Sequence, residues 1–350
     1  MAFKIGNIQV FPKNYFFDFM RWRKMTVGIS AVLVLASILV VGIKGINYSI
    51  DFLGGSEVQV RFTQEAPSQE ELKKTLVQKG FPHAEVTSYG SAVRDTTGSN
   101  YLIRLQREKG QDENQTTDKT SQLVNSLKQQ YAAEHIEVLS TTNISGKVGK
   151  EDEYKGYMAL LFACLGILAY IAIRFDSRFA PGAVLCLIHN VIIALGFMTA
   201  FDRPFTTASI AAFLTIVGYS INDTVIVYDR IRETRLLSPT LPLVDVVNRS
   251  ISQTMNRTVL TSTTGILALL VLSVLGGGSI EDFALTMLVG IVVGTYSSIY
   301  VAAPLTLMMD SFLVKMGWSW KASSAGNKSA AQKVQDVAPP IMIRKKDVKK

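Results

Sequence analysis

The sequence is poor in the residues that build disulfides, metal centres and active sites. It has 2 cysteines and 3 histidines among 350 residues. Cys164 and Cys186 both lie in apolar runs, so no disulfide framework is expected outside a membrane. His83, His135 and His189 are far apart and have no metal-ligand companions at suitable spacing. No glycine-rich phosphate loop follows a predicted strand. We therefore expect no metal, no cofactor and no enzymatic activity.

Charge is also scarce. Charged residues make up 18% of the chain and hydrophobic residues 48%, a balance that excludes an ordinary soluble domain. The apolar residues form six runs long enough to span a bilayer, which takes roughly 20 residues each. These runs are Met25–Ile43, Tyr157–Ile173, Pro181–Ala200, Phe205–Tyr228, Thr258–Leu275 and Phe283–Met309.

Basic residues predict how these spans are oriented. They flank the first run and fill the second-to-third and fourth-to-fifth connections, so both termini are expected in the cytoplasm. The first run lacks a small-x-small cleavage site and is interpreted as a retained signal anchor. The predicted regions are a cytoplasmic N-terminus 1–24, span 25–43, an extracytoplasmic domain 44–155, spans two to six in 156–309, and a basic cytoplasmic tail 310–350. The tail is expected to be disordered and solvated, or to attract anionic inner-leaflet lipids.

The segment 44–155 has the pattern of a small α/β domain. Glu57–Phe62 alternates polar and apolar residues, as a half-buried strand does. Ser68 and Glu71 form a capping box for a helix that stops at Gly80. A strand pair with the turn TTGSN, a helix Thr117–Tyr131 and a last strand His135–Ser140 complete the order β-α-β-β-α-β. That order predicts a ferredoxin-like domain that binds or acts as a lever.

One acidic residue lies inside a membrane-length apolar run. Asp223 belongs to TIVGYSINDTVIVYDRIRE, shortly before the polar stop at Asp229. A carboxylate there costs roughly 2.5–3.5 kcal/mol on insertion scales, and such groups usually mark an ion or proton path or a pairing partner. Asp223 is therefore the first candidate functional residue, as a proton carrier.

Arg257 is a second candidate, at the start of the fifth apolar run. An antiparallel fourth and fifth span could bring it within ion-pair reach of Asp223, although a residue near a helix end could also snorkel to the surface. Thr261 and Thr264 follow on one helical face, and Asn222 adjoins Asp223. These groups could order water towards the carboxylate, or they could hydrogen-bond within and between helices.

Two features of the other spans complete the membrane candidates. His189 in the third run could relay protons, or it could be a hydrogen-bonded packing residue. In the sixth run, Gly290, Gly294 and Ser298 have small-xxx-small spacing, which predicts close packing against a neighbouring helix.

Three motifs give the chain a family resemblance. They are SIDFLGGSEVQV after the first span, VGYSINDTVIVYDRIRE closing the fourth, and SISQTMNRTVLTSTT leading into the fifth. With these motifs the chain resembles the SecD/SecF family of bacterial protein-export membrane proteins, over about residues 15–312. Asp223 and Arg257 align with the family's proton-pathway acid and base. Asp51, Phe52, Gly54 and Gly55 align with its post-helix motif.

The resemblance implies a function and partners. The chain would be an auxiliary subunit of the Sec preprotein translocase in the inner membrane. It would pair with SecD, dock on the SecY–SecE–SecG channel and use the proton gradient to move unfolded preprotein. No specific nucleic acid is implied. Two residues depart from the family pattern: Ser49 stands where a glycine is usual, and Asn190 stands where an acid is frequent. The second departure weakens the hypothesis of a proton relay through His189. A small-solute proton antiporter and a passive translocon scaffold remain alternatives.

Overall fold

The computed structural model describes residues 16–63, 67–82, 84–89, 99–106, 113–131, 135–144, 146–174, 178–276 and 278–317. His83, most of the predicted TTGSN turn and most of the basic tail lie outside them. Within the described residues, six helices are long and apolar enough to cross a membrane, and a small α/β domain lies between the first and second of them. The predicted membrane architecture is therefore confirmed.

The elements have the following bounds. The helices are α1 Arg23–Lys44, α2 Ile50–Leu53, α3 Gln69–Gln78, α4 Glu113–Gln130, α5 Gly146–Arg174, α6 Ala180–Ala200, α7 Thr207–Leu237, α8 Leu243–Leu275, α9 Gly278–Ser297 and α10 Ala303–Lys315. The strands are β1 Gly55–Phe62, β2 Ala84–Tyr89, β3 Ser99–Gln106 and β4 Ile136–Ile144. A short 3-10 helix, Phe19–Trp22, precedes α1, and a π-helical segment, Ser298–Ala302, joins α9 to α10.

The α/β domain consists of one antiparallel sheet in the order β2-β3-β1-β4, with α3 and α4 packed on it. Alternate residues of β1 point into the core, as the sequence pattern predicts. The last strand continues past the predicted end at Ser140, because β1 pairs with it as far as Gly55 opposite Ile144. The core consists mainly of aliphatic residues from both layers: Val58, Val60, Leu72, Leu76, Ile103, Leu123 and Leu127.

The capping box of α3 has the predicted geometry. The backbone N–H of Glu71 donates to Oγ of Ser68 at 3.3 Å, and the backbone N–H of Ser68 donates to Oε2 of Glu71 at 2.9 Å. These bonds satisfy two backbone donors that the first turn of a helix leaves free. At the other end Gly80 has a φ of +93°, a left-handed conformation that favours glycine.

The fourth and fifth spans are longer than their apolar runs. Helix α7 continues past Asp229 to Leu237, and α8 begins at Leu243 instead of near Thr258. The prediction that Arg257 lies near the start of the helix is therefore wrong, because Arg257 lies in its middle. The first half of α8 is amphipathic, and it is helical because it buries Val246, Val247 and Ile251 in the helix bundle.

Helix α9 packs closely along α7. A Cβ added to Gly290 would lie 2.2 Å from Cγ1 of Ile216, and one added to Gly294 would lie 3.5 Å from Cβ of Ser220. The predicted small-xxx-small packing is thus seen at both glycines. The third residue of that pattern, Ser298, begins the π-helical segment. Pro304, which follows shortly after, has no backbone N–H to donate to the carbonyl four residues earlier.

Candidate functional site: a buried carboxyl group between spanning helices

Asp223 lies on the buried side of α7. Only 1% of its surface is exposed, and its Oδ1 has no hydrogen-bond partner within the described part of the chain. The neighbouring turn of α7 supplies Ser220 and Thr224, which are equally buried. A buried polar atom without a partner costs about 1–3 kcal/mol, and more if it is charged, so its retention requires an explanation.

Arg257 lies on α8, next to α7, and faces away from the interior of the chain. It is exposed, and its positive charge acts electrostatically on Asp223. The two side chains do not form an ion pair in this structure, since no nitrogen–oxygen distance between them is within 4.0 Å. The predicted acid and base are thus on neighbouring helices but apart.

The predicted polar side chains around this pair do not form a continuous chain. Oγ1 of Thr261 donates to the carbonyl of Arg257 at 2.8 Å, and Oγ1 of Thr264 donates to the carbonyl of Thr261 at 2.9 Å. Both hydroxyl groups therefore bond to their own helix. Of the two possibilities that the sequence leaves open, this is hydrogen bonding within a helix and not the ordering of water towards Asp223. Asn222 is exposed on α7. The hydroxyl of Tyr219, by contrast, links the helices by donating to the carbonyl of Thr261 at 2.7 Å.

His189 belongs to a buried polar network that joins three helices. Its Nδ1 lies 2.9 Å from Oδ1 of Asn190, whose Nδ2 donates to Oγ of Ser220 at 2.7 Å. On the same helix, Sγ of Cys186 lies 3.1 Å from Oγ of Ser297, and this contact extends the network to α9. Nε2 of His189 is buried and has no partner within the described residues. Asn190 therefore connects His189 to the helix that carries Asp223.

Sequence reasoning did not single out Thr258, whereas it considered the hydroxyl of Ser220, three positions before Asp223, as a group that could order water towards the carboxylate. Thr258 is adjacent to Arg257 but 2% exposed, and its Oγ1 is a further buried atom without a partner in the described chain. Ser220 accepts from Asn190. Small polar residues within apolar helices were the available signal, but the signal does not separate groups that bond to their own helix from groups that do not.

The post-helix motif fastens the α/β domain to the turn between α6 and α7, and we call this contact the motif junction. Oδ2 of Asp51 accepts from the backbone N–H of Thr207 at 2.9 Å and from its Oγ1 at 3.1 Å, at the start of α7. Phe52 is 1% exposed and packs against Phe205, with ring centroids 5.6 Å apart. A negative charge at a helix N-terminus is favourable. Asp51 therefore caps the start of α7, while Phe52 packs against the turn that precedes it.

The two glycines of the motif explain its sequence requirement. Gly54 has a φ of +77° and ends α2. Gly55 has a φ of +153°, and a Cβ there would lie 2.2 Å from the carbonyl oxygen of Leu105. Any larger residue at Gly55 would force β1 away from β3.

A second junction connects the domain to the turn between α8 and α9. Arg104 on β3 is 3% exposed; its Nε donates to Oε2 of Glu57 at 3.1 Å and its Nη2 to Oγ of Ser279 at 2.6 Å. Nearby, Nη1 of Arg203 donates to Glu281 at 2.9 Å and to Asp282 at 3.1 Å. Burial alone would lower the pKa of the Arg203 guanidinium, but these carboxylates raise it overall.

Chemically, this arrangement provides a buried carboxyl group that can take up a proton. Among the described residues there is no group of three histidine, cysteine or acidic side chains that could hold a metal ion. The absence of a cofactor and of enzymatic activity stays a prediction.

The fold and the site define a class: a multi-pass helical membrane protein with one small α/β domain and a buried acid in a spanning helix. The family model "Protein export membrane protein SecD/SecF, C-terminal" matches residues 123–311, and the SecD/SecF GG motif matches residues 40–66. The chain belongs to the SecD/SecF protein-export membrane protein family. This homology, with the six apolar helices, supports an inner-membrane protein with a role in protein export.

Individual relatives agree with this assignment. A protein translocase subunit SecF of Magnetococcus marinus is 40% identical over 304 residues, which are 87% of this chain and 95% of the relative. SecF of Rickettsia rickettsii is 36% identical, over 87% of this chain and 96% of the relative.

Two solved structures share the fold. The crystal structure of SecDF from Thermus thermophilus, described as a translocon-associated membrane protein, is 36% identical over 85% of this chain, with a TM-score of 0.71. SecDF in a super-membrane-facing form is 35% identical over 88% of this chain, with a TM-score of 0.66. The chain spans 39–40% of the length of these SecDF chains.

Proposed function

We propose that the chain is the SecF-type subunit of a Sec preprotein translocase and that it uses the proton gradient to promote export. The observation that carries this proposal is Asp223, a carboxyl group that is 1% exposed, lies in a spanning helix and has one oxygen without a partner in the described chain. In this role the cargo is unfolded preprotein, the coupling ion is the proton, and neither a cofactor nor enzymatic chemistry is needed.

Protonation of Asp223 would change the forces between α7 and α8. Burial favours the neutral form of a carboxyl group, and a nearby cation favours its ionised form. Arg257 is that cation, on the adjacent helix and not yet in contact. Ionised Asp223 would therefore draw Arg257 inward, and protonated Asp223 would release it. One elementary charge crossing 100 mV supplies roughly 2.3 kcal/mol, enough to bias such a rearrangement.

The exposure of Arg257 supports a membrane partner. Arg257, Asn222 and Thr264 are all exposed on this chain although they belong to spanning helices. A charged side chain that faces lipid is costly, so a second membrane protein is expected to cover this face. We assign that role to SecD, because the solved chains are named SecDF and this chain matches only 39–40% of their length. The complex would dock on the SecY–SecE–SecG channel.

The orientation follows from the basic residues of the loops. Both termini would face the cytoplasm, and the α/β domain would face the other side, where preprotein emerges. The basic tail would attract anionic inner-leaflet lipids. The α/β domain would grip or guide the emerging chain and change its tilt when α7 and α8 rearrange.

Two alternatives make different predictions. A small-solute proton antiporter would transport small substrates in reconstituted vesicles. A passive scaffold would stabilise the translocon without needing an acid at position 223.

The test is export of a secretory reporter in cells that carry Asp223→Asn, with assembly checked by co-purification of SecD. We expect export to fall by at least about tenfold while assembly is intact, since an amide cannot take up and release a proton at neutral pH. A matched control is Asp229→Asn, an exposed aspartate six positions along the same helix. Normal export with Asp223→Asn would overturn proton coupling and favour the scaffold.

A further inference from the structure

Among the described residues, two contacts between the α/β domain and the turns of the spanning helices differ in character. At the motif junction the contact is extensive: backbone bonds join Ser49 and Asn47 to Phe205, at 2.9 Å and 2.7 Å, and the Phe52 ring packs beside them. At the second junction a single charged side chain, Arg104, makes the polar contact with the α8–α9 turn. The first contact fixes the position of the domain, and the second leaves one residue to define its tilt.

Arg104 is held rigidly on the domain side. It lies directly opposite Glu57 in the pairing of β1 with β3, and Nε donates to Oε2 of Glu57. A guanidinium group is planar, so this bond also fixes the direction of Nη2, which donates to Oγ of Ser279 at 2.6 Å. A displacement of Ser279 would therefore act on the sheet itself and not on a flexible side chain.

Ser279 lies in the part of the membrane helices that would move with the site. It belongs to the first turn of α9, which packs on α7 through Gly290 and Gly294, close to Asp223. The preceding helix, α8, carries Arg257. The start of α9 also packs against the sheet, because a Cβ added to Gly278 would lie 3.5 Å from Cδ2 of Leu102. The α8–α9 hairpin thus connects both halves of the site to Arg104.

We propose that Arg104 is a positioning residue that carries movement of the α8–α9 hairpin into the α/β domain through its hydrogen bond to Ser279. The domain pivots at the motif junction, where many contacts hold it, and Arg104 sets its angle. This inference rests on the proposed function, because it requires that the membrane helices rearrange, and it adds the residue through which the domain responds.

The test uses Ser279→Ala in the full-length chain, in cells that contain the rest of the translocase. This variant removes the acceptor but leaves Arg104 bonded to Glu57, so the domain should fold normally. A matched control is Ser273→Ala, since the Ser273 hydroxyl bonds only to the carbonyl of Leu270 in its own helix, at 2.9 Å. Ser279→Thr keeps a hydroxyl acceptor and serves as the conservative rescue.

Three readouts separate a positioning role from a structural one. Export of the reporter is expected to fall at least about tenfold in Ser279→Ala, the size expected for a lost bond to a charged group, and to recover in Ser279→Thr. Spin labels at Glu137→Cys and Ile280→Cys, both exposed sites, should give a broader distance distribution in Ser279→Ala. The midpoint of thermal unfolding should fall only by the small amount that one lost hydrogen bond causes.

Three results would overturn the proposal. Export at the normal rate in Ser279→Ala would exclude Arg104 as a coupling residue, and so would a distance distribution that stays narrow. A lower unfolding midpoint in proportion to the export defect would make the contact structural. If Asp223→Asn still blocks export in these cases, only this inference fails and the proposed function stands.

Discussion

The motif junction and the interior around Asp223 hold their acidic side chains in opposite ways, although Oγ of Ser49 at the junction is also buried without a partner in the described chain. At the junction, both hydrogen-bonding groups of Thr207 that reach Asp51 are satisfied, and aromatic rings fill the space beside them. Around Asp223, oxygen atoms of Asp223 and Thr258 are buried without a partner in the described chain. The carboxylate at the junction is thus held by its partners, whereas the one in the interior keeps an unpaired oxygen, which under the proposed function gains a partner when α7 and α8 rearrange.

The largest expected effect is the loss of the aromatic packing at the motif junction. Phe52→Ala should lower the free energy of unfolding by about 3–5 kcal/mol, because it removes a ring that is 1% exposed. Phe201→Ala is the control, because that ring is 65% exposed and its loss should change stability little. Thermal unfolding of the purified proteins measures both. Equal stabilities of the two variants would contradict the assignment of the junction as the rigid contact.

A smaller loss is expected from the polar half of the same junction. Asp51→Asn keeps the shape but removes the charge at the start of α7, which should cost about 1 kcal/mol. Asp229→Asn removes a carboxylate that is 3.6 Å from Arg174, in an exposed ion pair, and should cost less than about 0.5 kcal/mol. Denaturant or thermal midpoints distinguish the two, and the reverse order would show that the capping charge contributes nothing.

A pH-dependent effect is expected from the capping box of α3. Hydrogen bonds from the backbone and then the side chain of Ser68 lower the pKa of Glu71 below its ordinary 4.5. Ionised Glu71 therefore stabilises the domain above that pH, and the contribution is lost as the pH falls through the acidic range. The stability of Glu71→Gln should then depend less on pH than that of the unaltered chain. Parallel curves from neutral to acidic pH would count against the box as a stabilising contact.

The smallest loss is expected where the polar group has no partner. Thr258→Val should cost no stability and should raise the free energy of unfolding by up to about 1 kcal/mol, since the removed hydroxyl is buried and makes no hydrogen bond in the described chain. Thr224→Val is the contrast, because the Thr224 hydroxyl donates to the carbonyl of Ser220 at 3.1 Å, and about 1 kcal/mol should be lost. A clear loss in Thr258→Val would mean that Thr258 is a structural residue after all.

Local patterns predicted the fold well because local physics determines them. The Ser68–Glu71 box, the alternation in β1 and the six apolar runs each depend on residues close together in sequence. Helix ends were less predictable. The first half of α8 is helical because Val246, Val247 and Ile251 pack on distant residues such as Phe19, and no apolar run announces that contact.

The candidate site was predictable as a set of residues but not as a geometry. The cost of burying a carboxylate identifies Asp223 from sequence alone. Whether Thr261 bonds to its own helix or to a neighbour depends on rotamer and helix rotation, which sequence spacing does not determine. The same holds for Arg104, whose partner Ser279 lies 175 positions further along the chain.

The extension of α7 and α8 beyond their apolar segments has a mechanical consequence. Asp223 lies roughly 20 Å from the end of α7 at Leu237, at 1.5 Å per residue. A tilt of α7 by about 10° about the position of Asp223 would then displace the turn between α7 and α8 by roughly 3–4 Å, since α7 continues without a break. This turn amplifies small angular changes at Asp223, so a fluorescent reporter placed there tests the proposed response to protonation of Asp223 at the point of greatest displacement.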